Sequence, residues 1–145
     1  MRWKTTERAD SVTYVLVLDP GDEAFAVIGG FAREQHLTAA QVTAVGGFDH
    51  ATVGWFDRAA KEYRPIHVNQ QCEVLALIGD IAVASDGSQP HLHAVLGLAD
   101  GTTRGGHLLA GNVWPTLEVV IRESPAVLSK TYRPDLGLAL IDPGQ

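Results

Sequence analysis

One cysteine, Cys72, serves the whole chain of 145 residues. It therefore forms no disulfide within the chain, and a zinc centre built on several thiolates is excluded. With no lysine, arginine or metal ligand beside it to lower its thiol pKa, it reads as a small buried apolar residue rather than a nucleophile. Lysine and arginine never stand next to one another, and the formal net charge is −6. Nonspecific DNA binding is mostly phosphate neutralisation by gathered cations, so this balance leans against a nucleic-acid role. No run of about 18 apolar residues is available to span a membrane, and the opening MRWKTTERAD lacks the apolar core of a signal peptide. The expected location is the cytoplasm, with no membrane partner. No linker or internal repeat appears, which points to one domain over 1–145 with its core at about 11–141. A chain of this length buries a sizeable core unaided, so any metal serves function or local rigidity.

Hydrophobic residues, at 46%, fall into short β-rich runs. Ser11–Leu18 is rich in β-branched and aliphatic residues and stops at Asp19-Pro20-Gly21, a strand followed by a turn. A helix is expected next. Asp22 and Glu23 suit its positive end, Ala24, Ile28, Phe31 and Ala32 form an apolar stripe, and Gly29-Gly30 suggests close packing on a neighbouring backbone. From Gln41 onward the runs QVTAVGGF, ATVGWFD, EYRPIHV, CEVLALIGDIAVA, HLHAVLGL, TRGGHLL, TLEVVIRE and GLALI read as strands. The class is α+β, a curved and mostly antiparallel sheet packed on one main helix. Gly46-Gly47 reads as a turn, Gly79-Asp80 as a bend or bulge, and Asp86-Gly87 and Asp100-Gly101 as hairpin turns. Val74–Ile78 is continuously apolar, which predicts burial on both faces, one of them against another subunit.

Three of the six histidines, His91, His93 and His107, fall within seventeen residues. On a strand, residues two apart share a face, so His91 and His93 stand side by side about 6.6 Å apart along the backbone. That is close enough for two imidazoles to meet one divalent ion. Whether His107 joins them depends on the hairpin. A two-residue loop, Asp100-Gly101, turns it away; a three-residue loop, Ala99-Asp100-Gly101, or a bulge at Gly105-Gly106 turns it toward His93. The residues alone leave both registers open, and leave open the plain alternative of solvent-facing histidines. His36, His50 and His67 lack such spacing and read as surface residues. Glu118 and Glu73 each interrupt an apolar run, making them candidate proton-relay carboxylates or else residues on a solvent face.

Glu73–Ala82, Asp86–Gly101, Gly105–Val113 and Thr116–Ile121 together resemble the PPC domain, the plants-and-prokaryotes conserved domain, over about residues 11–141. The resemblance implies a curved antiparallel sheet with a helix, assembled as a homotrimer. It also implies a metal, usually zinc, on His91, His93 and His107, without supplying a reaction. A small polar or anionic ligand would then complete the coordination shell. Were the protein an enzyme, the ion would activate water or polarise a carbonyl, with Glu118 or Glu73 relaying the proton. Plant relatives bind DNA mainly through Arg-Gly-Arg-Pro hooks, which this chain lacks, and the counterpart of their partner-binding segment, Gln70–Leu75, lacks its Gly and Arg. The competing class, a DNA-associated regulator, would draw on Arg33, Arg58, Lys61, Arg64, Lys130 and Arg133. A purely structural trimer with a closed metal site is the third.

Overall fold

The computed structural model describes residues 1–8 and 12–142, so Ser11 and the last three residues lie outside it. One helix, α1 (Ala24–Glu34), accompanies nine strands: β1 (Arg2–Arg8), β2 (Val12–Leu18), β3 (Ala39–Asp57), β4 (Glu62–Val68), β5 (Cys72–Ala84), β6 (Gly87–Gly97), β7 (Thr103–Glu123), β8 (Ser129–Arg133) and β9 (Leu138–Asp142). All belong to one sheet of order β1-β2-β7-β3-β5-β8-β9, with β4 on β3 and β6 bridging β5 and β7. The strands β3, β5, β6 and β7 thus close a ring, and every pairing is antiparallel except the short β5–β8 contact. The helix packs against β6 and β7. No described helix is long and apolar enough to cross a membrane.

Glu23 caps the helix, its carboxylate accepting from the N–H groups of Phe25 (3.2 Å), Ala26 (2.7 Å) and, across on β7, Gly111 (2.9 Å). One carboxylate therefore satisfies orphan donors at the helix start and fixes the helix to the sheet. Ala24, Ile28, Phe31 and Ala32 are buried as their spacing requires, with Phe31 edge-on to Tyr14 at 5.2 Å. A Cβ at Gly29 would stand 3.5 Å from the Pro90 ring, a side chain rather than a backbone, and one at Gly30 would meet open space. The expected close backbone packing is absent at both glycines because the helix meets β6 through Pro90.

The expected turn at Gly46-Gly47 is a bulge within a longer strand, and the expected bulge at Gly79-Asp80 lies elsewhere in its strand. Gly46-Gly47 lies inside β3, where the β3–β7 register shifts between Gly46 and Phe48. A Cβ at Gly46 would stand 2.3 Å from the Thr116 carbonyl oxygen, so bare backbone lets the two strands approach and continue. The runs on either side join as the 19-residue β3 and the 21-residue β7. In β5 the register shift falls between Val74 and Ala76, not at Gly79-Asp80. Gly79 stays paired with Leu92, and its missing side chain serves close approach instead: a Cβ there would lie 1.9 Å from the His91 carbonyl oxygen.

Alternation sorts β6 into two faces. Leu92, Ala94 and Leu96 enter the core, while His91, His93 and Val95 point the other way. The apolar run of β5 alternates likewise, with Val74 and Leu77 buried and Leu75 and Ile78 turned outward. Burial on both faces is therefore not achieved within one chain. Val45, Leu75, Ile78, Val95 and Val120 are 40–59% exposed on this outer side.

Candidate metal centre

The β6–β7 hairpin fixes the position of the third histidine. Leu98 N–H donates to the Thr102 carbonyl and Gly101 N–H to the Leu98 carbonyl, both at 2.9 Å, leaving Ala99-Asp100-Gly101 as a three-residue loop. Gly101 sits at φ +81°, the left-handed position that this loop needs and that glycine occupies without strain. Asp100 braces it, accepting from the N–H (2.9 Å) and hydroxyl (2.7 Å) of Thr102. From there the register runs unbroken to His93 opposite His107. No bulge at Gly105-Gly106 is involved on this side of β7.

The result is three imidazoles facing one another. Ligand atoms of His91, His93 and His107 all lie within 4.8 Å of one another, and the ring centroids are 5.1–5.5 Å apart. His91 Nε2 and His93 Nε2 are 3.2 Å apart. Two nitrogens each about 2.0–2.1 Å from a tetrahedral zinc are separated by about 3.3 Å, so this pair is already spaced for one ion. The rings are held from outside. Tyr63 of β4 stacks on His107 at 4.5 Å and 16°, in space that a Cβ at Gly54 would invade.

Electrostatics keep the lone pairs available. Burial, with the neighbouring His91, His93 and Lys130 charges, lowers the His107 pKa to about 4. Burial and then His91 lower that of His93. Both rings are neutral at neutral pH, the form in which imidazole binds metal. His107 Nδ1 is buried without a hydrogen-bond partner. A buried ring nitrogen without a partner is costly in apolar surroundings and fits a divalent ion in this cluster. His91, His93 and His107 therefore suit such an ion by spacing, protonation and an unmet polar atom.

Behind His91 stands a carboxylate that sequence reading did not place at the site. Asp80 of β5 pairs with His91 in the β5–β6 register, and its Oδ2 lies 3.5 Å from His91 Nδ1. Its Oδ1 is 3.3 Å from Lys130 Nζ, which also donates to the Gln89 carbonyl at 3.1 Å. That contact is an ion pair without hydrogen-bond alignment, since Oδ1 is otherwise a buried acceptor with no partner. Burial alone would raise the Asp80 carboxyl, but the His91 hydrogen bond and the Lys130 ammonium bring it below the ordinary value. A carboxylate behind a histidine orients the ring and raises its basicity. The only sequence signal for Asp80 was its place beside Gly79, and nothing local linked Lys130, fifty residues on, to either.

Glu118 and Glu73 stand elsewhere. Both are exposed; Glu118 lines a hollow with Val45, Ile78 and Val120, and Glu73 lines another with Cys72, Leu98 and Gly101. Neither hollow contains a histidine of the cluster. His36, His50 and His67 are exposed, with His67 Nδ1 3.1 Å from Thr52 Oγ1, and Cys72 is buried, its thiol pKa raised first by burial. A larger hollow of about 550 Å3 reaches Asp80 from the side of Arg122 and Glu123, without the histidines. The smaller one, about 260 Å3, carries His91, His107, Tyr63 and Lys130 together and is the hollow that meets the cluster.

The sequence profile of the Plants and Prokaryotes Conserved (PCC) domain matches residues 5–125. A curated relative, the bifunctional protein GlmU of Synechococcus sp. (strain JA-3-3Ab), is 36% identical over 113 residues, 77% of this chain, and the chain spans 17% of that protein's length. Among solved structures, the plant- and prokaryote-conserved protein of Pyrococcus horikoshii is similar at 25% identity and a TM-score of 0.84, covering 97% of this chain and 94% of that one. The metal-containing protein AF0104 of Archaeoglobus fulgidus is similar at 27% identity and 0.83, covering 97% and 96%. A candidate DNA-binding protein of Ralstonia eutropha JMP134 is similar at 25% and 0.83, covering 89% and 90%. With this match over most of its length, the chain belongs to the Plants and Prokaryotes Conserved domain family.

Proposed function

We propose that the protein binds one divalent metal ion, zinc, on His91, His93 and His107, and that it acts on or senses a small ligand there as a homotrimer. The observation that carries this reading is the convergence of three imidazoles, two of them held neutral and one of these, His107, with a buried ring nitrogen that has no hydrogen-bond partner. The metal-containing relative from Archaeoglobus supports it. Three histidine ligands leave a coordination position open, where zinc supplies Lewis acidity. Asp80 orients His91 as an acceptor on its Nδ1 side, while Glu118 and Glu73 would serve a proton relay only for a ligand reaching them from a neighbouring subunit. The exposed Val45, Leu75, Ile78, Val95 and Val120 supply an apolar face suited to such a subunit. Protein purified without a histidine tag should carry close to one zinc per chain and run at three times the chain mass by light scattering. The pair His91→Ala and His93→Ala should empty it. Less than one ion per trimer, or unchanged loading in the double variant, would defeat the metal assignment.

A DNA-associated role is the second reading, favoured by the name of the Ralstonia relative. Four of its six candidate cations are engaged by the chain itself: Lys130 with Asp80, Arg64 with Asp57, Arg133 with Asp135, and Lys61 with the Pro134 carbonyl. Binding to duplex DNA that weakened steeply with added salt would favour this role over the first.

A further inference from the structure

The hollow beside the histidines has a composition of its own. Its volume of about 260 Å3 falls below the roughly 300–1,000 Å3 of drug-sized sites, so its occupant is small. Its lining combines His91, His107 and Lys130 with the apolar Phe25, Pro90 and Leu140. Lys130 and Leu140 come from the β8–β9 hairpin, beyond the 5–125 span matched by the family profile. The Lys130 side chain is 4% exposed, deeply placed for a lysine. Its three N–H donors meet the Gln89 carbonyl and, without hydrogen-bond alignment, Asp80, which leaves donor capacity toward the hollow.

Charge selects the class of ligand. Lys130 and Asp80 offset one another in their ion pair. A divalent ion on the histidines would make the hollow positive, and the apolar wall supplied by Phe25, Pro90 and Leu140 then favours an anion with a hydrocarbon tail. A phosphate would face that wall with oxygen on every side. On the reading that the histidines hold a metal, we propose that this hollow binds a short-chain carboxylate, its headgroup between the metal and Lys130 and its tail against Phe25, Pro90 and Leu140.

The test uses full-length protein loaded with cobalt(II), whose visible bands report its ligands, with metal content measured on each sample. Isovalerate should shift the bands and give a saturable binding heat, acetate should bind more weakly, and isoamyl alcohol and inorganic phosphate should do neither. Lys130→Met should keep the metal, since Lys130 is not a ligand, and weaken isovalerate roughly 10- to 100-fold through loss of a charge-assisted hydrogen bond. Leu140→Glu, at an exposed position that tolerates change, should keep the metal and also weaken isovalerate, which covers a failure of Lys130→Met to fold. Cobalt-loaded protein indifferent to isovalerate, or binding phosphate or the alcohol equally well, overturns the ligand assignment and leaves the metal centre standing. Protein that takes up no metal overturns the metal centre, and isovalerate binding equally well without metal overturns the shared headgroup site.

Discussion

The chain contains two Asp-Gly pairs, and they close hairpins of different length. Between β5 and β6, Ala84 pairs with Gly87 and the loop is Ser85-Asp86, so this glycine opens the strand at φ +110°. Between β6 and β7 the loop is Ala99-Asp100-Gly101 and the glycine closes it at φ +81°. The shorter loop sets Asp80 opposite His91; the longer sets His107 opposite His93. One hairpin supplies a candidate metal ligand and the other supplies the carboxylate behind another. The same dipeptide gives both, so it marks a turn without choosing the register, which the flanking strands decide.

Removing what each hairpin delivers should have unequal consequences. His107→Ala takes away one of the three proposed ligands and should abolish zinc retention through gel filtration. Asp80→Asn keeps the ring's neighbour but not its charge, and should weaken zinc by about 10- to 100-fold, the usual cost of losing an outer-shell partner. Competitive titration with a zinc chelator measures both. Equal losses would mean that Asp80 is itself a ligand.

A subtler break leaves every ligand in place. Gly79→Ala puts a Cβ 1.9 Å from the His91 carbonyl oxygen, and backbone cannot yield as a flexible side chain would. The β5–β6 pairing must open locally, at a cost of about 1–3 kcal/mol by analogy with overpacked cores. Urea unfolding of metal-free protein should show that loss, whereas Gly30→Ala, whose Cβ meets open space on the helix, should be neutral or stabilising. Equal midpoints for the two variants would mean that β5 and β6 are not held this close.

What could be read from the residues was local. Period-two alternation in HLHAVLGL sorted core leucines from outward histidines, and the stripe of Ala24, Ile28, Phe31 and Ala32 marked the helix. Long-range facts were not legible. Glycine pairs look the same whether they turn a chain or let two strands approach, so β3 reads as two strands with a turn at Gly46-Gly47, while the stretch Ala110–Pro115 splits β7 in the same way. The strands β1 and β8, RWKTTER and SKTYR, carry too little apolar alternation to be read at all. Leu75 and Ile78 looked buried because a run of aliphatics does not record which of its faces the core covers. At the site, Asp80, Tyr63 and Lys130 arrive on three different strands, a meeting that pairing alone reveals.

The two hairpins should also separate by pH, with the smallest effect of all. His107 titrates near 4 when folded, against 6.5 ordinarily, so the unfolded chain takes up a proton that the fold refuses. Its contribution to stability is complete above 6.5 and is lost as pH falls from there toward 4. Asp80 has the depressed value of a paired carboxylate, so its contribution holds above the ordinary 3.8 and goes only as pH falls below it. Both groups are partly exposed, and solvent screening keeps each step modest. Unfolding midpoints of metal-free protein should therefore fall in two stages, the first reduced in His107→Gln, where His93 alone still contributes, and the second reduced in Asp80→Asn. A midpoint flat from 6.5 to 4 would mean that solvent reaches the His107 ring, and with it that the β6–β7 hairpin does not bury its ligand as the β5–β6 hairpin shelters Asp80.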